Sequence, residues 1–210
     1  MATIVLFGAK GGTGKSTSAI HLAGYLQTVA PTLLVDGDRT RTCVKWAMSS
    51  PTPPRFAVHP EKKGMRLMRD FTHVVIDTQA WPADEDIDDL VDVADLFVIP
   101  TPATPFSVQT VADGVGELAK REKFDAGRVR VLLTIVPPKP SRDGADARAL
   151  ITVAGLSVFR AEIPRLAVFA VAEGAGLLVR DVADRRAAKA WECYESVGKE
   201  VLDHGREILG

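Results

Sequence analysis

The 210-residue sequence predicts a three-layer α/β fold: a mainly parallel sheet of about seven strands with helices on both faces. Three observations carry the prediction. Short apolar, β-branched runs alternate along the chain with amphipathic stretches at helical spacing. A glycine-rich loop, Gly8 to Ser16, joins the first run to the first such stretch, and two later runs end in an acid, at Asp36 and Asp77. With 46% hydrophobic residues, the composition suits one globular domain over residues 1–210, large enough to bury roughly 70% of its unfolded surface.

Thr3-Ile4-Val5-Leu6-Phe7 reads as a buried strand, and Ser16 to Val29 carries Ile20, Leu22, Ala23 and Leu26 at helical spacing. Strand, glycine loop, helix is the context of a P-loop, so the fold expected is that of a P-loop NTPase. In such a loop Gly11, Gly12 and Gly14 let backbone N–H groups of residues 11–17, Thr13 and Thr17 included, converge on phosphate oxygens. Lys15 reaches the β and γ phosphates, and the Ser16 hydroxyl faces Mg²⁺. Lys10 is surplus to that cradle, since a second cation at a helix N-terminus needs an anionic partner.

Thr32 to Val35 reads as a second strand ending in Asp36-Gly37-Asp38, whose i, i+2 carboxylates point to one side at the ligand edge of the sheet. A helix over 40–49, a proline-rich loop at 51–54, a short strand at 56–58 and a helix with Met65, Leu67 and Met68 follow. Thr72 to Asp77 has the Walker B pattern, a strand ending in a carboxylate able to hold Mg²⁺ through water. After it come an acidic helix over 84–92, strands at 95–100, 128–136 and 157–163, and helices at 107–123 and 141–154. The last helix presents Trp191, Tyr194, Val197, Val201, Leu202 and Ile208 on one face.

Residues 10 to 16, Lys-Gly-Gly-Thr-Gly-Lys-Ser, match at every position the loop of the deviant Walker A ATPases, and the chain thereby resembles the ParA/MinD superfamily, closest to small ParA-type partition ATPases. The resemblance implies ATP and Mg²⁺ as cofactors and a homodimer that sandwiches ATP, with Lys10 crossing to the nucleotide of the second subunit. It implies that Lys10, Lys15 and Asp38 carry catalysis and that Ser16, Asp36 and Asp77 serve the metal. Pro164 and Arg165 fall where relatives place a segment against the base, and Thr134 stands near the usual adenine-reading Asn. The segment 101–106 resembles one that lies at the dimer face of relatives.

The net charge of −1 hides an asymmetry: eleven acids and no Lys or Arg over 70–119, against eleven basic and six acidic residues over 128–189. Within the basic half, Arg180, Arg185, Arg186 and Lys189 can track DNA phosphates without reading bases. The function implied is partition of DNA or positioning of another cargo: the ATP dimer binds nonspecific DNA, and a ParB-like or other adaptor stimulates an otherwise slow hydrolysis and release. The alternatives are a MinD-like division or positioning regulator and a metabolic ATPase of the same superfamily. Membrane association is disfavoured by five acids against Lys199 and Arg206 in the last nineteen residues. With no leader-like start and no membrane-length apolar run, the protein is expected in the cytoplasm, on the nucleoid when ATP-bound. Cys43 and Cys193 lack metal-site spacing and read as reduced structural thiols.

Overall fold

The structure, a computed structural model, describes residues 2–8, 10–80 and 82–209, without the side chains of 105 and 206–209. Six parallel strands form one sheet: β1 (Ala2–Leu6), β2 (Thr32–Asp36), β3 (Ala57–Pro60), β4 (His73–Asp77), β5 (Leu96–Pro102) and β6 (Val129–Thr134), in the order β3-β2-β4-β1-β5-β6. The helices are α1 (Lys15–Leu26), α2 (Thr42–Ser49), α3 (Glu61–Leu67), α4 (Asp84–Val93), α5 (Pro105–Leu118), α6 (Asp143–Val153), α7 (Ala167–Ala175) and α8 (Ala187–Leu209).

Strand periodicity divides the core in two. Ile4, Leu6, Leu34, Val75, Val98 and Leu132 face α1, α2, α7 and α8, while Val5, Phe7, Val35, Ile76, Phe97 and Leu133 face the layer of α4, α5 and α6. Both faces of every central strand are therefore apolar, as a sheet covered on both sides requires. Trp191, Tyr194, Val197 and Val201 of α8 are buried as expected; the Ile208 side chain lies outside the described residues.

The expected strand at 157–163 does not form as one strand, which leaves six rather than about seven. The segment makes two isolated bridges, Val131↔Val158 with β6 and Val136↔Pro164 just beyond its end, and bows away in between. The bow is satisfied by side chains: the Glu200 carboxylate accepts from the N–H groups of Arg160 and Ala161 at 2.9 and 2.8 Å, and Arg148 donates to the Phe159 and Arg160 carbonyls. Backbone groups deprived of a sheet ladder need such partners. The helix α7, which the residues between Pro164 and Gly176 did not announce as one, uses Val168 and Ala172 as its buried face.

Gly176 ends α7 at φ 65°, and a Cβ there would lie 2.6 Å from the Ser50 nitrogen and 2.7 Å from the Ser49 carbonyl carbon. Gly155 has a similar φ of 76° but open space around it. Gly176→Ala is expected to cost about 2–4 kcal/mol, left-handed strain plus a collision with backbone, and Gly155→Ala only about 1–2 kcal/mol. Urea unfolding of the two variants tests this; equal losses would show that α2 yields to the added methyl.

Candidate functional site

The tips of three strands are level. Parallel register sets Leu6 beside Asp77 and Asp77 beside Asp36, so two carboxylates without exposed surface stand on neighbouring strands at the ligand edge of the sheet. Gly37 allows the close passage between them: its N–H donates to the Asp77 carbonyl at 2.8 Å, and a Cβ would come within 2.9 Å of that oxygen.

From β1 the chain loops into α1 through Gly12 and Gly14, at φ 76° and 89°. The loop is held from two sides. The Thr134 hydroxyl at the end of β6 donates to the Thr13 carbonyl at 2.8 Å, and Lys15 Nζ donates to the Lys10 carbonyl at 2.9 Å. Thr134 thus spends its hydroxyl on the loop. Lys15 is buried, and burial lowers its pKa against the pull of Asp77 and Asp38.

Lys10 behaves differently from Lys15. It is exposed, and its ammonium lies 5.0 Å from the ring centroid of Phe106, itself 70% exposed at the start of α5. The two make a cation–π pair on an outer face, beside the segment after β5.

Asp36 has both oxygens engaged: Oδ1 accepts from Asp38 N at 3.2 Å and Oδ2 from Val44 N at 2.9 Å, while its carbonyl accepts from Arg41 Nη1. Burial raises its pKa and these two amides lower it. It anchors the first turn of α2 and shapes the loop that carries Asp38. Asp38 is half-buried; its Oδ1 accepts from the Thr40 N–H and hydroxyl, both at 2.8 Å.

Burial pushes the Asp77 carboxyl up to about 6, against the Ser16 hydroxyl and the Cys43 thiol, which draw it down, and with Asp36, which adds to the rise. Oδ2 accepts from Cys43 Sγ at 3.3 Å. Oδ1 accepts no hydrogen bond of standard geometry, and the Ser16 hydroxyl is the nearest donor to the carboxyl besides the Cys43 thiol. Burial, and then the charges of Asp77 and Asp36, raise the Cys43 thiol well above its ordinary value, which keeps it protonated and a donor. An unsatisfied buried carboxylate oxygen near a serine hydroxyl and a lysine fits a hydrated divalent cation. Among the described residues no group of three or more His, Cys, Asp or Glu could hold a metal by itself. Mg²⁺ asks for less, one or two protein oxygens together with phosphates.

A cleft of about 560 Å³, the size of a small-molecule site, joins two parts of the chain. Gly11, Gly12, Gly14, Ser16, Thr17 and Asp38 line it from the first half; Ile163, Pro164, Arg165, Phe169 and Glu173 line it from the second. Pro164 and Arg165 reach it because Val136 pairs with this segment on both sides, Val136 N to Ile163 O at 3.0 Å and Arg165 N to Val136 O at 2.8 Å. Sequence reasoning missed Phe169, Glu173 and Ile135 as lining residues. Ile135 takes φ 52°, a left-handed conformation costly for a β-branched side chain, and Arg41 near Asp38 takes φ 55°. No residue-type signal marks either position.

The four basic residues of the C-terminal region are not equivalent. Arg186 is locked to Asp184 by two bonds of 2.9 and 2.8 Å, and Arg180 lies 4.6 Å over Trp191 and 3.7 Å from Asp181. Arg185 and Lys189 are exposed. Among the described residues no helix is long and apolar enough to cross a membrane.

The raised Asp77 carboxyl has a signed consequence for stability. Between about pH 4 and 6 the native protein holds a proton that the unfolded chain has lost, so this group's contribution falls as pH rises through that window. Asp77→Asn is expected to be more stable than wild type above pH 6, by roughly 2–3 kcal/mol at most, with no gain near pH 4. Urea unfolding of both proteins across this range, without nucleotide or metal, checks it; parallel curves would mean that folding does not raise the Asp77 carboxyl.

No protein-family model matches the chain. It is 27% identical over 204 residues, 94% of this chain and 93% of the relative, to the maintenance of carboxysome distribution protein A of Gloeobacter kilaueensis. Among solved structures it is similar to an ATP complex of a Cyanothece McdA variant, with a TM-score of 0.75, 20% identity and coverage of 97% and 96% of the two chains. It is similar also to the MinD cell division protein of Aquifex aeolicus, with a TM-score of 0.73, 14% identity and coverage of 97% and 98%. Sequence likeness along nearly the whole chain, together with the shared fold, supports a ParA/MinD superfamily ATPase.

Proposed function

We propose that the protein is a ParA-type ATPase that positions DNA or another cargo, using ATP and Mg²⁺ to join two subunits into a dimer that binds nonspecific DNA. The observation that carries the reading is the placement of the two loop lysines. Lys15 is buried in the cleft wall and Lys10 is exposed on an outer face against Phe106, outside the residues that line the cleft. A cation held out of its own subunit's cleft is available to the phosphates of another. The relative named for carboxysome distribution supports a cellular body as cargo, beside a plasmid or chromosome.

In this reading the loop amides of residues 11–17 and Lys15 bind the phosphates, and Lys15 exchanges the Lys10 carbonyl for a phosphate oxygen. That exchange frees the Lys10 backbone as nucleotide arrives, which couples loading to the dimer face. Ser16 and Asp77 would hold Mg²⁺, with Asp36 behind them, and the ion neutralises phosphate charge when bound. Asp38, on a loop fixed by Asp36 and Thr40, orients the attacking water. Ile163, Pro164, Arg165 and Phe169 enclose the base. Arg185 and Lys189, with Arg180 and Arg186 beside them, contact DNA phosphates, and an adaptor protein accelerates hydrolysis and release.

Lys15→Ala is expected to weaken ATP binding about 10- to 100-fold, the loss of a charged hydrogen bond, and calorimetry measures it directly. Lys10→Ala is expected to keep ATP binding but to abolish ATP-dependent co-sedimentation with DNA. DNA binding that is absent with ATP in the wild type, or indifferent to the loss of Lys10, would end the partition reading. Asp38→Ala is expected to bind ATP normally and to hydrolyse it about 100-fold more slowly, a loss of the size that removing a positioned acid–base group produces. Unchanged turnover would take Asp38 out of the mechanism.

A further inference from the structure

Cys43 has no part in the reading above, and a small buried thiol in an apolar layer would ordinarily be core filling. Its position is unusual. It lies in the first turn of α2, has no exposed surface, and donates to Asp77 Oδ2 at 3.3 Å, from α2 across to the tip of β4. The next residue of the same turn, Val44, donates its N–H to Asp36 Oδ2. One helical turn is thus pinned to the acids of both strand tips, and it follows directly on the loop that carries Asp38. The second oxygen of Asp77 accepts no bond of standard geometry although the residue is wholly buried. A carboxylate held at one oxygen and open at the other is oriented, since rotation of the group would break the thiol contact.

We propose that Cys43 is a positioning residue for Asp77: its thiol holds Oδ2 and presents Oδ1 to the hydrated Mg²⁺ of a bound nucleotide. The proposal rests on the nucleotide reading of the cleft. A donor is needed at this place for the reason a ligating carboxylate elsewhere needs an outer partner, to fix which oxygen faces the metal. The thiol does this without adding a charge beside Asp36 and Asp38.

The test has two arms, both in a Cys193→Ser background so that one thiol remains. The infrared S–H stretch of the nucleotide-free protein is expected at lower frequency than that of a free thiol and should move up in Asp77→Ala. An unmoved band would show that the contact does not exist and would overturn the proposal. In the second arm, calorimetry follows ADP binding against Mg²⁺ concentration. Cys43→Ala is expected to need about three- to tenfold more Mg²⁺ for half-maximal enhancement, the loss of one hydrogen bond. Affinity in EDTA should be unchanged, and Cys43→Ser, which keeps a donor, should recover most of the loss. Alanine behaving as wild type, or serine as poorly as alanine, would overturn the role of Cys43 alone. Should Cys43→Ala fail to fold, the comparison of Cys43→Ser with wild type and the infrared arm decide. A wild type that binds no ADP with Mg²⁺ would overturn the nucleotide reading and with it the metal half of the proposal, while the infrared band still reports the contact.

Discussion

The registered pairing of β2 with β4 is the constraint on which the site depends, because it brings Asp36 and Asp77 level with each other, both out of water. Two carboxylates in that position are costly as anions, and both are shifted upward by burial. The surroundings offset the cost unequally. Asp36 receives two backbone amides, whereas Asp77 receives a weak thiol donor, a nearby hydroxyl and the field of Lys15. The sheet therefore leaves one carboxylate satisfied and structural and the other short of partners. An under-satisfied anion next to a phosphate cradle is a store of affinity for a cation.

The same asymmetry organises the lysines. Lys15 is drawn inward by Asp77 and Asp38 and finds an acceptor in the Lys10 carbonyl. That bond turns the backbone of residue 10 toward the cleft, and its side chain lies against Phe106 on the outside. One loop thus carries a cation for each side, and neither arrangement needs a special residue beyond the glycines at 12 and 14.

Much of this was legible in the sequence where a residue type is itself the mechanism. The glycine loop, the acids at 36, 38 and 77 and the apolar runs of β1, β2, β4, β5 and β6 all have local signatures, and the structure puts them where strand-tip logic expects. What was hidden depends on partners distant in sequence. The expected last strand broke because Glu200 and Arg148, one on α8 and one on α6, satisfy the backbone of 159–161 better than a sheet neighbour does. Ile135 gives no sign of a left-handed conformation, since nothing in an isoleucine asks for one. Cys43 was read as structural because its acceptor lies 34 residues away, at the tip of β4.

The far side of the cleft shows how such distant pairings connect the site to the basic C-terminal region. His21, in the second turn of α1, bonds through Nδ1 to the Thr17 carbonyl at 2.8 Å and through Nε2 to the N–H of Val179 at 3.0 Å, one residue before Arg180. Accepting a backbone N–H at Nε2 places the proton on Nδ1, so the ring is the neutral tautomer. Burial holds its pKa near 4, so the bonded ring is neutral at pH 7. Tyr194, which lines the cleft, stacks on that ring at 4.8 Å, and its hydroxyl is 3.1 Å from the Ser18 hydroxyl. The first turn of α1, the start of the Arg180 segment and the wall formed by α8 are therefore joined through one uncharged imidazole. Because the ring is neutral, the joint holds these elements together by hydrogen bonding and packing rather than by an ion pair.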